Sequence, residues 1–222
     1  MHMAAPKSRK IRYVALIVDM VGSRELSEAA RARAQKRFGA LVQQLNKRYS
    51  KQIAARFVIT LGDEFQGLLR STTVIPDIIS ELENDFSDRT LRVGIGLGQL
   101  YTQVPKYAIN VDGPALHSAR SAVEKAKSSA VLGGVFEGFG TLDVILNGVA
   151  RLLWFHRFKL TEQQRMFFNL LRKGLSQTQI AESLKISRQL VSKQLMSAGW
   201  SAYAECEAAW RGLFTDYAEP ML

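Results

Sequence analysis

A single cysteine, Cys206, rules out an intrachain disulfide, and with three histidines the chain has no Cys/His grouping able to build a zinc site. Internal repeats and low-complexity tracts are also missing, so the chain reads as globular rather than fibrous or disordered. No apolar run is long enough to cross a bilayer. The richest stretch, Leu142 to Phe155, is broken by Asp143, Asn147 and Arg151. The first residues carry charge but lack the apolar core of a secretory signal. The glycines at 94, 96 and 98 have neither the spacing nor the following helix of a dinucleotide fingerprint. These absences leave an expected cytoplasmic protein without membrane contact. Its 222 residues, 47% hydrophobic, can bury one large core or two modest ones.

What is present is unevenly distributed. The net charge is +10, and residues 1–56 alone carry +10, against −2 over 57–158 and +2 over 159–222. A basic excess favours polyanionic partners, although a charge run is commonly a solvated helix face.

The apolar run Tyr13 to Val18 predicts a buried strand ending at Asp19. A loop holding Gly22 and Ser23 follows, then an amphipathic helix to Tyr49 whose outer surface is basic. Ala55 to Leu61 and Phe65 to Leu69, around Gly62-Asp63-Glu64, predict a hairpin. Pro76 near the start of Thr73 to Glu83 suits the first turn of a helix. Leu91 to Leu97 reads as a strand whose glycines admit a close neighbour, Ala115 to Lys127 as a helix, and Ala130 to Phe136 as a strand. The order predicts an α+β fold, a ferredoxin-like or palm domain over residues 10–140. A connecting helix over 141–158 is apolar on more than one face, which predicts burial between domains or against a second copy.

Residues 159–222 read as all helical. Thr161, Ser176 and Ser187 stand at helix N-caps, and Gly174 stands where a helix ends. The third of these helices would turn Arg188, Gln189, Ser192 and Lys193 outward beside Ser187. Such side chains reach base edges and phosphates. Ser176 to Gly199 resembles the helix-turn-helix of sigma-factor region 4 and of response-regulator output domains, which makes DNA the expected partner. A trihelical packing module touching only protein is the bland alternative.

Three N-terminal segments resemble the nucleotidyl-cyclase palm: Val14 to Leu26, Phe57 to Leu69 and Arg92 to Leu100. The hairpin also resembles that of diguanylate cyclases, and Val111 to Ala122 resembles a cyclase helix. The resemblance implies a Mg²⁺ site at Asp19 and Asp63, with the adjacent Glu64 counted in the metal set. It implies a nucleotide-binding set of Met20, Val21, Gly22, Ser23, Gly62 and Arg120, taking a nucleoside triphosphate or a cyclic nucleotide. Departures count against turnover. Leu61 would crowd the nucleotide, and His117 and Ser121 replace the cyclase Asn and Arg, with Arg120 out of phase by one residue. His117 and His156 read as structural, and Asp112-Gly113-Pro114 as a turn.

Taken whole, with its Ile-Val-Asp start, its long hairpin motif and its helical end, the chain is similar to the SatD family of bacterial proteins. The expectation is a homodimeric DNA-binding transcriptional regulator with a nucleotide- and metal-binding, cyclase-like N-terminal domain. The alternatives are an active nucleotidyl cyclase or nucleotidyltransferase with a DNA-binding tail, and an interaction module that has lost its ligand.

Overall fold

The structure, a computed structural model, describes residues 11–86, 91–128 and 133–216. The sheet is built around β1 (Tyr13–Met20). Its side chains alternate, so Val14, Leu16, Val18 and Met20 enter one core while Ala15 and Ile17 enter another. Burial on both faces is why this strand is a continuous apolar run rather than an alternating one.

Strands β2 (Ile53–Leu61), β3 (Glu64–Leu69), β4 (Leu91–Gly98) and β5 (Gly133–Glu137) complete the order β2-β3-β1-β4-β5. The first four are antiparallel and β5 runs parallel to β4. The β2-β3-β1-β4 part is the ferredoxin-like arrangement. The expected start of β5 at Ala130 falls in 129–132, outside the described residues.

Helices α1 (Glu28–Arg48) and α2 (Ile75–Asp85) cover one face. Ser27 caps α1 by accepting from the Ala30 N–H, and Phe38, Leu41 and Leu45 point inward. Helix α3 (Pro114–Ser128) covers the opposite face, which a plain ferredoxin-like layer leaves open. The glycines of β4 are the reason it fits. A Cβ at Gly94 or Gly96 would stand 2.2 Å from the carbonyl oxygen of Ala119 or Ala115. The close neighbour they admit is therefore backbone of this chain.

An asparagine pairs with one residue on each sheet edge. Asn46 of α1 pairs with the N–H and C=O of Phe57 on β2, and Asn147 does the same for Phe136 on β5. The backbone groups of these two edge residues are thereby satisfied. Asn147 belongs to α4 (Leu142–Lys159), where it looked like a mere interruption of the apolar run.

Four further helices follow: α5 (Glu162–Arg172), α6 (Gln177–Leu184), α7 (Arg188–Ser197) and α8 (Trp200–Asp216). The last lies in the stretch that reads as all helical, although no cap or spacing marks it there as a separate helix. It returns to the sheet: Trp210 and Phe214 pack on Phe136 with ring centroids 6.0 and 5.7 Å away. Thr72 donates to the Phe214 carbonyl at 2.7 Å, and Arg211 pairs with Asp77 of α2 at 2.7 Å. One buried apolar cluster therefore runs from β1 to α8. Among the described residues no helix is long and apolar enough to cross a membrane.

Candidate functional site

Register places three charged residues side by side at the end of β1. Asp19 stands opposite Glu64 on β3 and Arg92 on β4. Asp63, at the hairpin tip, accepts a hydrogen bond from the Met20 N–H through its carbonyl at 3.0 Å. Gly22 takes the left-handed conformation, φ 67°, which turns the loop tightly enough to bring the Ser23 hydroxyl onto the Asp63 carboxylate.

Behind this turn lies a cavity of about 200 Å³. Met20, Leu26 and Ala34 supply its apolar wall; Ser23, Arg31, Gln35, Gly62 and Asp63 supply the rest. A Cβ at Gly62 would fall 2.7 Å from Gln35 Nε2, so a larger residue there would push the end of that side chain aside. The volume is below that of common ligand pockets, about 300–1,000 Å³. It suits a small ligand or a fragment of a larger one. Four expected residues, Met20, Ser23, Gly62 and Asp63, thus meet in one pocket; Val21 and Gly22 shape the loop without lining it.

Arg31 and Gln35 were missed as site residues. They lie one turn apart on α1, and the sequence made Arg31 look like one more residue of a solvated basic face.

The carboxylates are not bare. Arg92 reaches Asp19 at 3.3 Å. Arg120 grips Glu64 with both guanidinium nitrogens, at 2.5 and 2.8 Å, and Thr60 adds a hydrogen bond at 3.0 Å. Two expectations are corrected here. Arg120 does not point away: α3 crosses the sheet so that this side chain overhangs the β3 end. Glu64 has both oxygens engaged by protein rather than directed, with Asp19 and Asp63, at an ion. Among the described residues no group of three or more His, Cys, Asp or Glu side chains could hold a metal.

Burial pushes the Asp19 carboxyl above the ordinary aspartate range; Lys127 and Arg92 oppose the rise and the Asp63 charge adds to it. For Glu64 burial acts the same way, but the Arg120 hydrogen bonds and charge, with Thr60 and Lys127, overcome it and hold the carboxyl below its ordinary value. Lys127 is a third cation that sequence reading did not assign. It stands two turns beyond Arg120, so both share one edge of α3. The Leu61 side chain, expected to crowd a nucleotide, lies outside what the structure describes.

The second candidate lies at the other end of the chain. Capping boxes at Thr161/Gln164 and Ser176/Gln179 start α5 and α6. Lys185, in the left-handed conformation at φ 55°, turns the chain between α6 and α7. Ser187 caps α7 by accepting from the Leu190 N–H at 3.1 Å. Val191 and Leu195 are buried, while Arg188, Gln189, Ser192 and Lys193 share an exposed stripe. Arg172, at the end of α5, turns inward to Glu207 and Ser80. His117 bonds Asp112 at 2.7 Å and His156 stacks on Phe168, both within the fold.

Among the described residues the architecture is α+β, with a five-stranded mixed sheet and eight α-helices. The chain belongs to the SatD family, whose family model matches residues 13–210. A search of curated proteins found no match. Among solved structures it is similar to the guanylyl cyclase domain of the RhoGC fusion protein from the aquatic fungus Blastocladiella emersonii, at 16% identity and TM-score 0.33, over 50% of this chain and 72% of that one. A rhodopsin–guanylyl cyclase catalytic core in complex with an ATP analogue gives 14% and 0.31, over 50% and 71%. A bacterial light-regulated adenylyl cyclase gives 13% and 0.35, over 57% and 43%.

Proposed function

We propose that the protein is a cytosolic DNA-binding transcriptional regulator whose N-terminal α+β region binds a nucleotide with Mg²⁺. The observation that carries the DNA reading is the stripe Arg188, Gln189, Ser192 and Lys193 on α7, exposed beside the capped pair α6–α7. A packing module has no need of a polar, basic outer face on that helix, whereas a major-groove reader does.

The pocket behind Ser23 and Gln35 supports the nucleotide reading, since one end of it is apolar and its rim offers donors and acceptors. Asp19 and Asp63 are the residues that would hold Mg²⁺. This ion is commonly carried by one or two carboxylates together with substrate phosphates, so a full protein cage is not needed. When bound it would offset the phosphate charge, with Arg120 and Lys127 completing the balance.

The test uses the full chain. Saturable, salt-sensitive binding to duplexes selected from a random library is expected, as is calorimetric binding of ATP or GTP that requires Mg²⁺. Absence of any selected duplex rejects the regulator; absence of nucleotide binding at millimolar ligand rejects the sensor half.

A second reading, a nucleotidyl cyclase or nucleotidyltransferase with a DNA-binding tail, is favoured by Arg120. A cation held beside strand-end carboxylates can stabilise charge in phosphoryl transfer. We expect binding without rapid turnover. Multiple turnovers of labelled ATP or GTP, abolished by Asp19→Ala, would place the enzyme first.

A further inference from the structure

Helix α4 shows two different faces. Leu146, Ala150 and Leu153 are buried against the sheet and α8. On the other side Val144, Ile145, Leu152, Phe155 and Phe158 are 49–79% exposed. At 3.6 residues per turn these five fall on one stripe running the length of the helix. Single exposed apolar side chains need no explanation, but five on one helix face, two of them phenylalanines, do. Arg151 and Lys159 share that face, with the Lys159 ammonium 5.4 Å from the Phe155 ring centroid.

We propose that this stripe is where a second copy of the chain docks, with the two α4 helices antiparallel about a two-fold axis between Arg151 and Leu152. The argument is self-complementarity. Gly148 lies in the stripe, and a Cβ built there would meet nothing within 4 Å, so the glycine serves no packing need inside one copy. A mid-helix glycine costs about 1 kcal/mol relative to alanine. In the antiparallel pairing, positions 148 and 155 face each other across the axis. The Phe155 ring of each copy then fills the gap over the partner's Gly148, twice by symmetry. Ile145 meets Phe158 in the same register.

Area agrees with this occupant. Five large, mostly exposed apolar side chains present on the order of 600 Å² per copy, most of the roughly 800 Å² per partner of a standard interface. Charge argues against attraction of other kinds: at +10 each, two copies repel. Association through this stripe must strengthen as salt screens that repulsion, the opposite of binding to DNA. The proposal needs neither DNA nor nucleotide, so it stands or falls apart from both.

Sedimentation of the full chain across a concentration series is the test. A dimer is expected, tighter at high salt. Phe155→Asp should weaken it about 30-fold or more, as for a central aromatic anchor, with the melting temperature of the dissociated protein unchanged. Gly148→Leu should weaken dimerisation while leaving the monomer as stable or more so, and adding Phe155→Ala to Gly148→Leu should recover part of the loss. In a Cys206→Ser background, Leu152→Cys should form a disulfide-linked dimer and Val144→Cys should not. Cross-linking at both positions would replace the antiparallel register with a parallel one and overturn this pairing. A chain that stays monomeric at every concentration, or a dimer indifferent to Phe155→Asp, overturns the proposal.

Discussion

The two cation-bearing regions of this molecule are built on opposite plans. At the end of β1 every charge has a partner: Arg92 with Asp19, Arg120 with Glu64, Ser23 with Asp63. On α7, Arg188 and Lys193 have no hydrogen-bond or ion-pair partner among the described residues, and both are exposed. Internal pairing fixes geometry and lowers net charge, as suits a site that receives a small anion with its counter-ion. Unpaired surface cations hold a field outward and cost the fold nothing to redirect, as suits a polyanion. The first arrangement is the one to probe with pH, the second with ionic strength.

The contrast can be broken most severely through the helix that joins the two regions. Trp210→Ala removes an aromatic that is 5% exposed and packed on Phe136 and Phe214, and should cost about 3–5 kcal/mol. Denaturant unfolding would register it. If a single cooperative transition survives at that lower stability, the sheet and the C-terminal helices are one folding unit; two separated transitions would show them to be independent.

Next in size is the exposed face of α7. Arg188→Ala combined with Lys193→Ala should weaken DNA binding by ~1–3 kcal/mol for each side chain that bonds a base edge. Stability should move by less than ~0.5 kcal/mol, because neither side chain is packed. Unchanged affinity in the double variant, with circular dichroism intact, would remove α7 from the interface.

A smaller effect is expected of Glu64→Gln. The Arg120 side chain is 44% exposed, which discounts the pair to about 1–2 kcal/mol, below the cost of breaking a fully buried one. The sign with pH follows from the lowered Glu64 carboxyl. Its contribution is complete above the ordinary glutamate range and is lost as pH falls through the depressed native value. The stability gap between parent and variant should thus be flat at neutral pH and close in acid. A gap that widens on acidification contradicts the pairing.

The smallest effect on folding is predicted for Asp63→Asn, under about 0.5 kcal/mol, because an amide oxygen still accepts from Ser23. Mg²⁺-dependent nucleotide binding should disappear all the same. Calorimetry on the two proteins separates a ligand role from a turn role: retained binding in Asp63→Asn makes it a turn residue.

The strands, α1 to α7 and their caps were legible because each rests on local chemistry: an apolar run for β1, Ser27, Thr161 and Ser176 at N-caps, Gly174 at a helix end. Asp19, Asp63, Ser23 and Gly62 were legible for a similar reason, being strand ends and turn residues. What could not be read is tertiary. Arg120 looked misphased because helical phase was measured along α3 alone, while its reach depends on where the Gly94 and Gly96 steps seat that helix. Gln35 and Arg31 resembled any residues of a polar helix face until the hairpin folded over them. Helix α8 carries its signal in Tyr203, Glu207, Trp210 and Phe214, a spacing with a charged member that only the Arg172 and Arg211 partners make sense of.

The hydrogen bond from Thr72 to Phe214 joins residues 142 positions apart. A chain grows from its N-terminus at about 5–20 residues per second. β1 to β5 are complete by Glu137, so Phe136 must wait for some seventy further residues before Trp210 and Phe214 arrive to cover it. During synthesis the newly made sheet therefore carries an aromatic seat that closes only once α8 has been made.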